Sequence, residues 1–398
     1  MVHHPKCRVG GHGVIPTTLA MDISAAALAE AAEALIEHAA RTGWHGPDPY
    51  DGLWWEWPAV LTGGRRRRQA IVQLHARAPV DIRRLYRRTH PRIDKTLALF
   101  ASAGLRAHRI TGHPRPRALA TSALDAAVAD GTVGSPGWGY PFDVQTRWSF
   151  YPAGTPNVVV TSYVGRALLE GARELGRADW SARGVAAARW VLDELWVEPE
   201  GFFGYHPQSR ANVHNASLLG AALVDAGLPD DPTARERVAR AVQRALAAQA
   251  DDGSWPYGDD PSLRWIDSFH TGYVLTCLAR VGTAQPGVED ALASGAAFYS
   301  RFFDSEGRAA LWPGRRFPED AHSAGTGLTT LSALLAAGHV ERPLLERVAC
   351  RVLEATIRRG RAVARRYRWG RTTVWYPRWC DGHVACGLGD AAVALTGH

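Results

Sequence analysis

The chain has little cysteine and no long apolar segment. Its five cysteines are spread through 398 residues without a regular spacing. No disulfide framework is therefore expected, and the protein is expected in a reducing, cytoplasmic location. No apolar run reaches the ~18 residues of a transmembrane helix. Residues 1–21 also lack the apolar centre of a secretory signal. These absences predict a cytoplasmic protein without a membrane span.

Lysine is nearly absent, because Lys6 and Lys95 are the only lysines and all other basic residues are arginines. The net charge is nevertheless +7, which can attract anionic partners. No basic arm with interleaved aromatic residues accompanies this charge, so a nucleic-acid partner is not expected. Glycine-rich phosphate loops and the G-x-S-x-G and H-E-x-x-H motifs are missing as well. No cofactor is predicted.

A repeat of about 55 residues runs through the chain. In each repeat a glycine- and aromatic-rich turn precedes a polar pair and then a strongly apolar helix. The apolar helices have no polar face and are predicted to be buried on all sides; they cover residues 93–110, 155–175, 213–226, 268–281, 321–337 and 382–395. Amphipathic helices alternate with them and cover residues 22–42, 117–129, 179–195, 232–249, 287–303 and 342–359.

This alternation indicates an inner ring of helices wrapped by an outer ring. The predicted fold class is all-α, a single (α/α)6 toroid over residues 21–398 that follows a loose arm at residues 1–20. Equivalent helices of such a ring begin at the same end. Their polar first residues are therefore expected to converge on one rim.

Two short stretches resemble known families. Residues 249–255, QADDGSW, resemble the Q-x-x-D-G-S-W repeat of squalene–hopene cyclases and related terpene cyclases. Residues 267–275, DSFHTGYVL, resemble the D-x-[YF]-H-T-x-Y-x-L stretch of protein prenyltransferase β subunits. Both families are α/α toroids, so the resemblance implies that fold and chemistry on an isoprenoid.

The chain departs from both families at their reactive groups. It has no D-x-D-D motif, and Asp231 precedes Pro232 in the manner of a helix cap. Where the prenyltransferases supply a zinc-binding thiolate, this chain has His214, Asn215 and Ala216. The spacing of Cys380, His383 and Cys386 also falls short of a zinc motif. A metal-independent acid/base enzyme is therefore expected.

The candidate catalytic residues are Asp267, His270 and Asp143. Asp267 and His270 are three residues apart on one helix, so they share a face and can form a carboxylate–imidazole pair. The alternative is that Asp267 only caps the helix beside a core histidine. Asp143 follows an aromatic turn and is either an acid/base group or part of a loop salt bridge. The residues predicted to bind substrate at the rim are Lys95, Trp138, Tyr151, Asn157, His214, Asn215, His322, Arg378 and Asp381.

Three functions remain open. The leading hypothesis is protonation-driven cyclisation or isomerisation of an isoprenoid or other extended apolar substrate, with Asp267–His270 or Asp143 as the proton donor. The alternative is a carbohydrate-active toroid, either a glycosidase or a uronate lyase or epimerase. The third is a toroid that binds a ligand without catalysis. The partner is a small molecule in the first two cases, and the oligomeric state is not predicted.

Overall fold

The computed structural model describes residues 23–78, 80–86, 89–131, 135–147, 149–282 and 285–397. The predicted arm at residues 1–20 lies outside the described residues. The described residues form fourteen α-helices. In chain order these are α1 (Ala25–Arg41), α2 (Ala59–Thr62), α3 (Arg65–Arg77), α4 (Asp94–Thr111), α5 (Pro114–Ala129), α6 (Val158–Leu175), α7 (Ala178–Glu194), α8 (His214–Gly227), α9 (Pro232–Ala247), α10 (Ser268–Val281), α11 (Val288–Tyr299), α12 (Ala321–Ala336), α13 (Arg342–Arg351) and α14 (Gly382–Thr396).

The helices close into a ring. Each inner helix packs against the next in the order α4, α6, α8, α10, α12 and α14, and α14 packs back against α4. The amphipathic helices α5, α7, α9, α11 and α13 pack on the outside, and α1 covers the closure by packing against both α14 and α4. The fold is therefore an (α/α)6 toroid, as predicted. None of the described helices combines the length and apolarity that crossing a bilayer requires.

Burial follows the two helix patterns. Every residue of α8 from His214 to Val224 is buried, because this inner helix has neighbours on all sides. The outer helix α9 buries only Ala234, Val238, Ala241, Val242 and Ala245. These positions recur every three or four residues and so form one stripe against the inner ring.

Helix starts depend on local capping. Asp231 caps α9 by accepting a hydrogen bond from the backbone N–H of Ala234, and Pro232 occupies the first turn, as predicted. For α6 the predicted start at residue 155 is three residues too early. Pro156 is held in an extended bridge with Gly139. Asn157 therefore caps α6, accepting from the Val160 N–H at 3.0 Å.

Short antiparallel strands join the helices, mainly before the inner ones. The hairpin pairs are β1 (Val144–Gln145) with β2 (Phe150–Tyr151), β3 (Trp196–Val197) with β4 (Phe202–Phe203), and β6 (Ile357–Arg358) with β7 (Arg361–Ala362). A three-stranded sheet has the order β5 (Glu319–Asp320), β8 (Arg365–Tyr367), β9 (Gly370–Arg371). Strand β5 leads directly into α12, so this sheet lies at the end of the ring where the inner helices begin.

The last outer helix is shorter than predicted. The amphipathic pattern predicts a helix over residues 342–359, but α13 ends at Arg351 and a π-helical turn over Val352–Thr356 leads into β6. Arg359 and Gly360 both have positive φ, at 53° and 71°. Two consecutive positive φ values are what a two-residue hairpin turn requires. The chain therefore reverses at Arg359 and Gly360, and Arg358 belongs to a hairpin.

Glycine sets the spacing of the last two inner helices. A Cβ at Gly325 of α12 would lie closer than 3.0 Å to backbone atoms of His383 in α14. A Cβ at Gly387 of α14 would lie equally close to the Gly325 carbonyl oxygen. The helices can approach this closely only without side chains at both positions. This contact brings together the first turns of α12 and α14.

Candidate functional site

The inner helices present their first turns at one rim of the ring. Asn157, Asp267 and Asp320 cap α6, α10 and α12, each accepting a backbone N–H three residues later. The repeat predicts Asn157 and Asp267 in this position, whereas Asp320 was missed. Asp320 precedes Ser323 as Asp267 precedes His270, so the same capping pattern could have identified it. Arg365 of the β8 strand also donates to Asp320, at 3.1 Å.

Two histidines and a tyrosine form the centre of this rim. His322 of α12 and His383 of α14 stack with ring centroids 4.1 Å apart. The Tyr273 hydroxyl of α10 lies 2.6 Å from His322 Nε2 and 3.3 Å from His383 Nε2. A hydroxyl can donate to one nitrogen and accept from an N–H of the other. The phenol therefore connects the two imidazoles in one hydrogen-bonded chain.

Both imidazoles are held in the neutral form. Burial, followed by the charges of neighbouring basic groups, lowers the pKa of His322 and of His383 well below 6.5. His322 Nδ1 is buried and has no hydrogen-bond partner among the described residues. Neutral imidazoles can accept a proton, so this cluster provides general bases at neutral pH.

Lys95 of α4 lies beside the histidine cluster. Its ammonium nitrogen is 4.1 Å from the centroid of the Tyr163 ring and 5.5 Å from that of Tyr273. The residue is only 3% exposed. Burial, then the charge of Arg378, lowers the pKa of Lys95 well below 10.5. The predicted rim lysine is thus in the central cluster, enclosed by aromatic rings.

Asp267 and His270 form the pair that their spacing predicts. The carboxylate of Asp267 lies 2.7 Å from His270 Nδ1 and also accepts the backbone N–H of His270 at 3.0 Å. It accepts a third hydrogen bond from the indole N–H of Trp265 at 3.2 Å. Asp267 is buried, whereas the His270 side chain is 23% exposed. Capping and orientation of the imidazole therefore occur together, and the histidine is the member that faces solvent.

Aromatic side chains surround these groups. Phe269 and Trp379 each lie 4.3 Å from the His322 ring, and Tyr257 lies 4.5 Å from the His270 ring. Tyr50 is 38% exposed, yet burial raises its pKa. Its ring lies 5.2 Å from that of Trp379. Aromatic rings therefore pack around the histidine, tyrosine and lysine side chains of this rim.

Arg378 and Asp381 are fixed by partners within the protein. Arg378 forms a two-pronged ion pair with Asp48, in which Nη2 lies 2.7 Å from Oδ1. Asp381 accepts hydrogen bonds from the indole of Trp375 at 2.6 Å and from the Ala362 N–H at 2.9 Å. Burial raises the pKa of Asp381 to about 7. Asp381 anchors the β7 strand to α14, and Arg378 supplies fixed positive charge beside the cluster.

His214 and Asn215 open α8 on the same rim. His214 Nε2 lies 3.1 Å from Asp259, and its Nδ1 lies 3.3 Å from the Asn212 amide. Asn215 is 4% exposed, and its Oδ1 has no partner among the described residues. His214 is thus held by Asp259 and Asn212, whereas the Asn215 amide oxygen stays available to a ligand.

Three of the predicted residues, Asp143, Trp138 and Tyr151, have structural contacts of their own. Asp143 is half-buried and accepts the Ala153 N–H at 2.9 Å, which closes the loop around the β1–β2 hairpin. Trp138 is fully buried and donates to the Ala127 carbonyl at 2.8 Å. The Tyr151 ring packs 5.1 Å from the His206 ring. None of these contacts joins the three residues to the histidine cluster, so their roles in binding or catalysis stay predictions.

The sequence did not identify Tyr273 and Tyr163 as central residues. Tyr273 follows His270 by three positions, so the spacing rule that joins Asp267 to His270 extends to it. Tyr163 is the single aromatic residue of helix α6. Which side of a buried helix points into the ring is not encoded in a pattern without a polar face. That missing information is why both were overlooked.

The architecture resembles that of carbohydrate-active proteins. Similar solved structures include a possible member of the GH105 family from Klebsiella pneumoniae, with a TM-score of 0.63, 12% identity, and coverage of 98% of this chain and 100% of that chain. An α-1,6-mannanase of Salegentibacter has a TM-score of 0.59 at 10% identity, covering 92% and 99%. Cellobiose 2-epimerase of Bacillus thermoamylovorans has a TM-score of 0.59 at 11% identity, covering 76% and 88%. At these identities the similarity establishes the fold alone. No protein-family model and no curated protein matches the sequence.

These comparisons overturn the leading prediction of terpene cyclase-like chemistry. Several of the similar solved structures are named as epimerases, hydrolases and lyases of carbohydrates, which favours the carbohydrate alternative. The geometry gives a physical reason. Asp267, the expected proton donor, already accepts three hydrogen bonds. The rim carries hydroxyl, imidazole and amine groups, which suit a substrate with many hydroxyls better than a hydrocarbon.

Proposed function

We propose that this protein is a carbohydrate-active enzyme that moves a proton on a sugar, as an epimerase, isomerase or lyase does. The observation that carries the proposal is the hydrogen-bonded chain from His322 through Tyr273 to His383. One imidazole removes a proton from a carbon next to a carbonyl or carboxylate. The other returns a proton to the same carbon or to a leaving oxygen, and the phenol connects the two.

The surrounding groups fit a sugar. The stacked Tyr257 and Trp265 rings, with centroids 4.4 Å apart, offer flat apolar surfaces to the C–H face of a pyranose. Lys95 and Arg378 supply positive charge that favours a developing enolate or a uronate carboxylate. Asp267 fixes the orientation of His270, whose exposed edge can bond a hydroxyl. These contacts hold the substrate above the histidine cluster.

Hydrolysis by two carboxylates is less well supported. That chemistry needs an acid and a base on opposite faces of the glycosidic bond. Asp267 is saturated with hydrogen bonds, Asp48 is paired with Arg378, and Asp143 binds a backbone amide. The imidazoles of His322 and His383, by contrast, are held neutral and are joined through one phenol. Proton transfer at carbon is therefore the favoured reaction.

The proposal is tested by solvent exchange in heavy water. Reducing disaccharides and uronate-containing oligosaccharides are incubated with the protein, and products are followed by NMR and mass spectrometry. Deuterium at C2 of the reducing sugar identifies an epimerase or isomerase, and an unsaturated uronate identifies a lyase. His322→Asn and His383→Asn should each slow the reaction by about 10²–10⁴-fold.

The matched control is His113→Asn. The His113 side chain is 55% exposed and bonds Glu33 of the outer helix α1, so its replacement should leave the rate unchanged. Circular dichroism confirms that each variant is folded. Absence of carbon-bound deuterium and of unsaturated product on both panels, with folded protein, contradicts the proposal.

A further inference from the structure

Lys95 is an exception to the composition of this chain. Every other basic residue in the described part is an arginine, and the only other lysine is Lys6. Arginine carries its charge under all ordinary conditions, because its guanidinium does not lose a proton in proteins. A lysine ammonium can lose one. A lysine retained at the centre of the ring thus supplies chemistry that an arginine there would not.

The surroundings of Lys95 suit an uncharged amine. No ion pair within 4.0 Å joins it to a carboxylate in the described part of the chain. The nearest acidic influence is Asp48, and that carboxylate is already paired with Arg378. Burial and the positive Arg378 both disfavour a second cation here. The amine form therefore predominates at a lower pH than for an exposed lysine.

The position of Lys95 also matters. Its nitrogen lies against the half-buried Tyr163 ring and near Tyr273. It is close enough to His322 and His383 that its charge lowers the pKa of both. An amine, two neutral imidazoles and a phenol are thus grouped at one rim of the ring. This is the set of groups that imine chemistry requires: a nucleophile and bases to move protons.

We propose that Lys95 condenses with the carbonyl carbon of an open-chain sugar to form an imine. This inference rests on the proposed function, since it specifies an aldose or ketose as the substrate class. The amine nitrogen bonds to the carbonyl carbon and loses its two protons, which neighbouring acid/base groups pass to the carbonyl oxygen, and that oxygen leaves as water. The product is an imine that takes up one further proton from a neighbouring imidazolium or phenol.

The protonated imine then promotes the reaction at the adjacent carbon. Its positive charge acidifies that C–H, so His322 or His383 can remove the proton and leave an enamine. Return of a proton to either face gives the original sugar or its epimer. Addition of water to the imine releases the sugar and restores the amine. The Tyr163 and Tyr273 rings stabilise the cationic imine as they stabilise an ammonium.

The alternative for the same residue is a permanent ammonium that binds an anionic group. The two roles respond differently to Lys95→Arg. Arginine keeps the charge and most of the length, so an anion-binding role would survive in part. Arginine cannot form the imine, so a covalent role would be lost as completely as in Lys95→Gln.

Reductive trapping tests the proposal, because the chain has only two lysines. The proteins are the wild type, Lys6→Arg, Lys95→Arg and Lys95→Gln. Each is incubated with glycolaldehyde, an aldehyde that cannot form a sugar ring, and sodium cyanoborohydride. Intact mass and peptide mapping locate the reduced adduct. We expect labelling of Lys95 in the wild type and in Lys6→Arg, at least about tenfold faster than labelling of Lys6.

The outcomes separate this inference from the proposed function. Labelling confined to Lys6 and the terminal amine, in a wild type that still exchanges sugar protons, overturns the imine and leaves the proposed function standing. Rapid labelling of Lys95 in a protein that exchanges no sugar protons supports the reactive amine and contradicts the proposed function. Retention of most of the exchange rate in Lys95→Arg also overturns the imine. The exchange measurement on Lys95→Arg requires only that this variant is folded. Reductive trapping in the wild type requires no variant.

Discussion

At the scale of single residues, desolvation determines which groups of the proposed site can accept protons. His322 and His383 are within 5% of complete burial, and burial is the largest cause of their lowered pKa values. A lowered pKa keeps an imidazole deprotonated further into the acid range. The same burial favours the neutral amine of Lys95. One physical effect thus prepares both the bases and the proposed nucleophile.

The pH dependence of activity should reflect these shifts. The free-enzyme rate constant kcat/KM should lose activity on the acid side only below pH ~6.5, because a base with a lowered pKa is protonated only at more acidic pH. The measurement is the initial rate of deuterium incorporation between about pH 4 and pH 9. An acid limb with its midpoint at or above the ordinary histidine value would contradict neutral, buried bases.

Asp267 permits a test of capping against orientation of His270. Asp267→Ala should destabilise the protein by about 1 kcal/mol through the lost cap, whereas Asp267→Asn should keep the cap and the stability. Both should lower activity by at least about tenfold, because neither presents a carboxylate to His270 Nδ1. The measurements are chemical denaturation and the exchange rate.

The control for Asp267 is the cap of an outer helix. Asp231 caps α9 and pairs with Arg189 at 2.7 Å, away from the rim. Asp231→Ala should lose similar stability. Asp231→Ala and Asp231→Asn should both keep full activity per folded molecule. Full activity in Asp267→Asn would show that Asp267 only caps α10, which is the alternative that its sequence position left open.

At the scale of secondary structure elements, hydrophobic periodicity predicts the helices well and the site only in part. The six inner helices lie within a few residues of their predicted bounds, because residues buried on all sides give an apolar run that turns interrupt. The hairpin at Arg359 was missed, because a positive φ at arginine has no signature in composition. The Tyr273–His322–His383 contact joins three different helices. Its geometry depends on how α10, α12 and α14 rotate against each other.

Glycine at the crossing of α12 and α14 should be required for activity. Gly325→Ala would place a Cβ within 3.0 Å of the backbone of α14, so the helices must separate and the stacked imidazoles must move with them. We expect a loss of about 1–3 kcal/mol in stability and a fall in exchange rate beyond the loss of folded protein. The measurements are thermal denaturation and the rate per folded molecule.

The same substitution at Gly389 serves as the control. A Cβ at Gly389 of α14 would lie 3.2 Å from the Cβ of Arg106 and 3.6 Å from the Ala103 carbonyl oxygen, whereas a Cβ at Gly325 would lie 2.4 Å from backbone. Gly389→Ala should therefore cost less stability and leave the exchange rate close to that of the wild type. An equal loss of activity in both variants would contradict the role given to the Gly325 crossing.

At the scale of the whole molecule, the site exists only because the ring is closed. His322 and His383 come from the last two inner helices, whereas Lys95 comes from the first. These helices meet where α14 packs against α4 beneath α1. The chain therefore has to bring residues almost 300 positions apart in the sequence into contact before the site is complete. The helix that covers this junction is the first in the described chain.

Removal of α1 should open the ring and abolish the site. Leu28, Leu35 and Ile36 of α1 are fully buried, and loss of such side chains costs about 2–5 kcal/mol each. A chain that begins at residue 44 should lose cooperative unfolding and all exchange activity. A chain that begins at residue 21 lacks only the predicted arm and should keep both. Cooperative unfolding is followed by calorimetry. A stable, active protein without α1 would contradict closure by this helix. A loss of stability on removing residues 1–20 alone would instead show that the arm is part of the toroid.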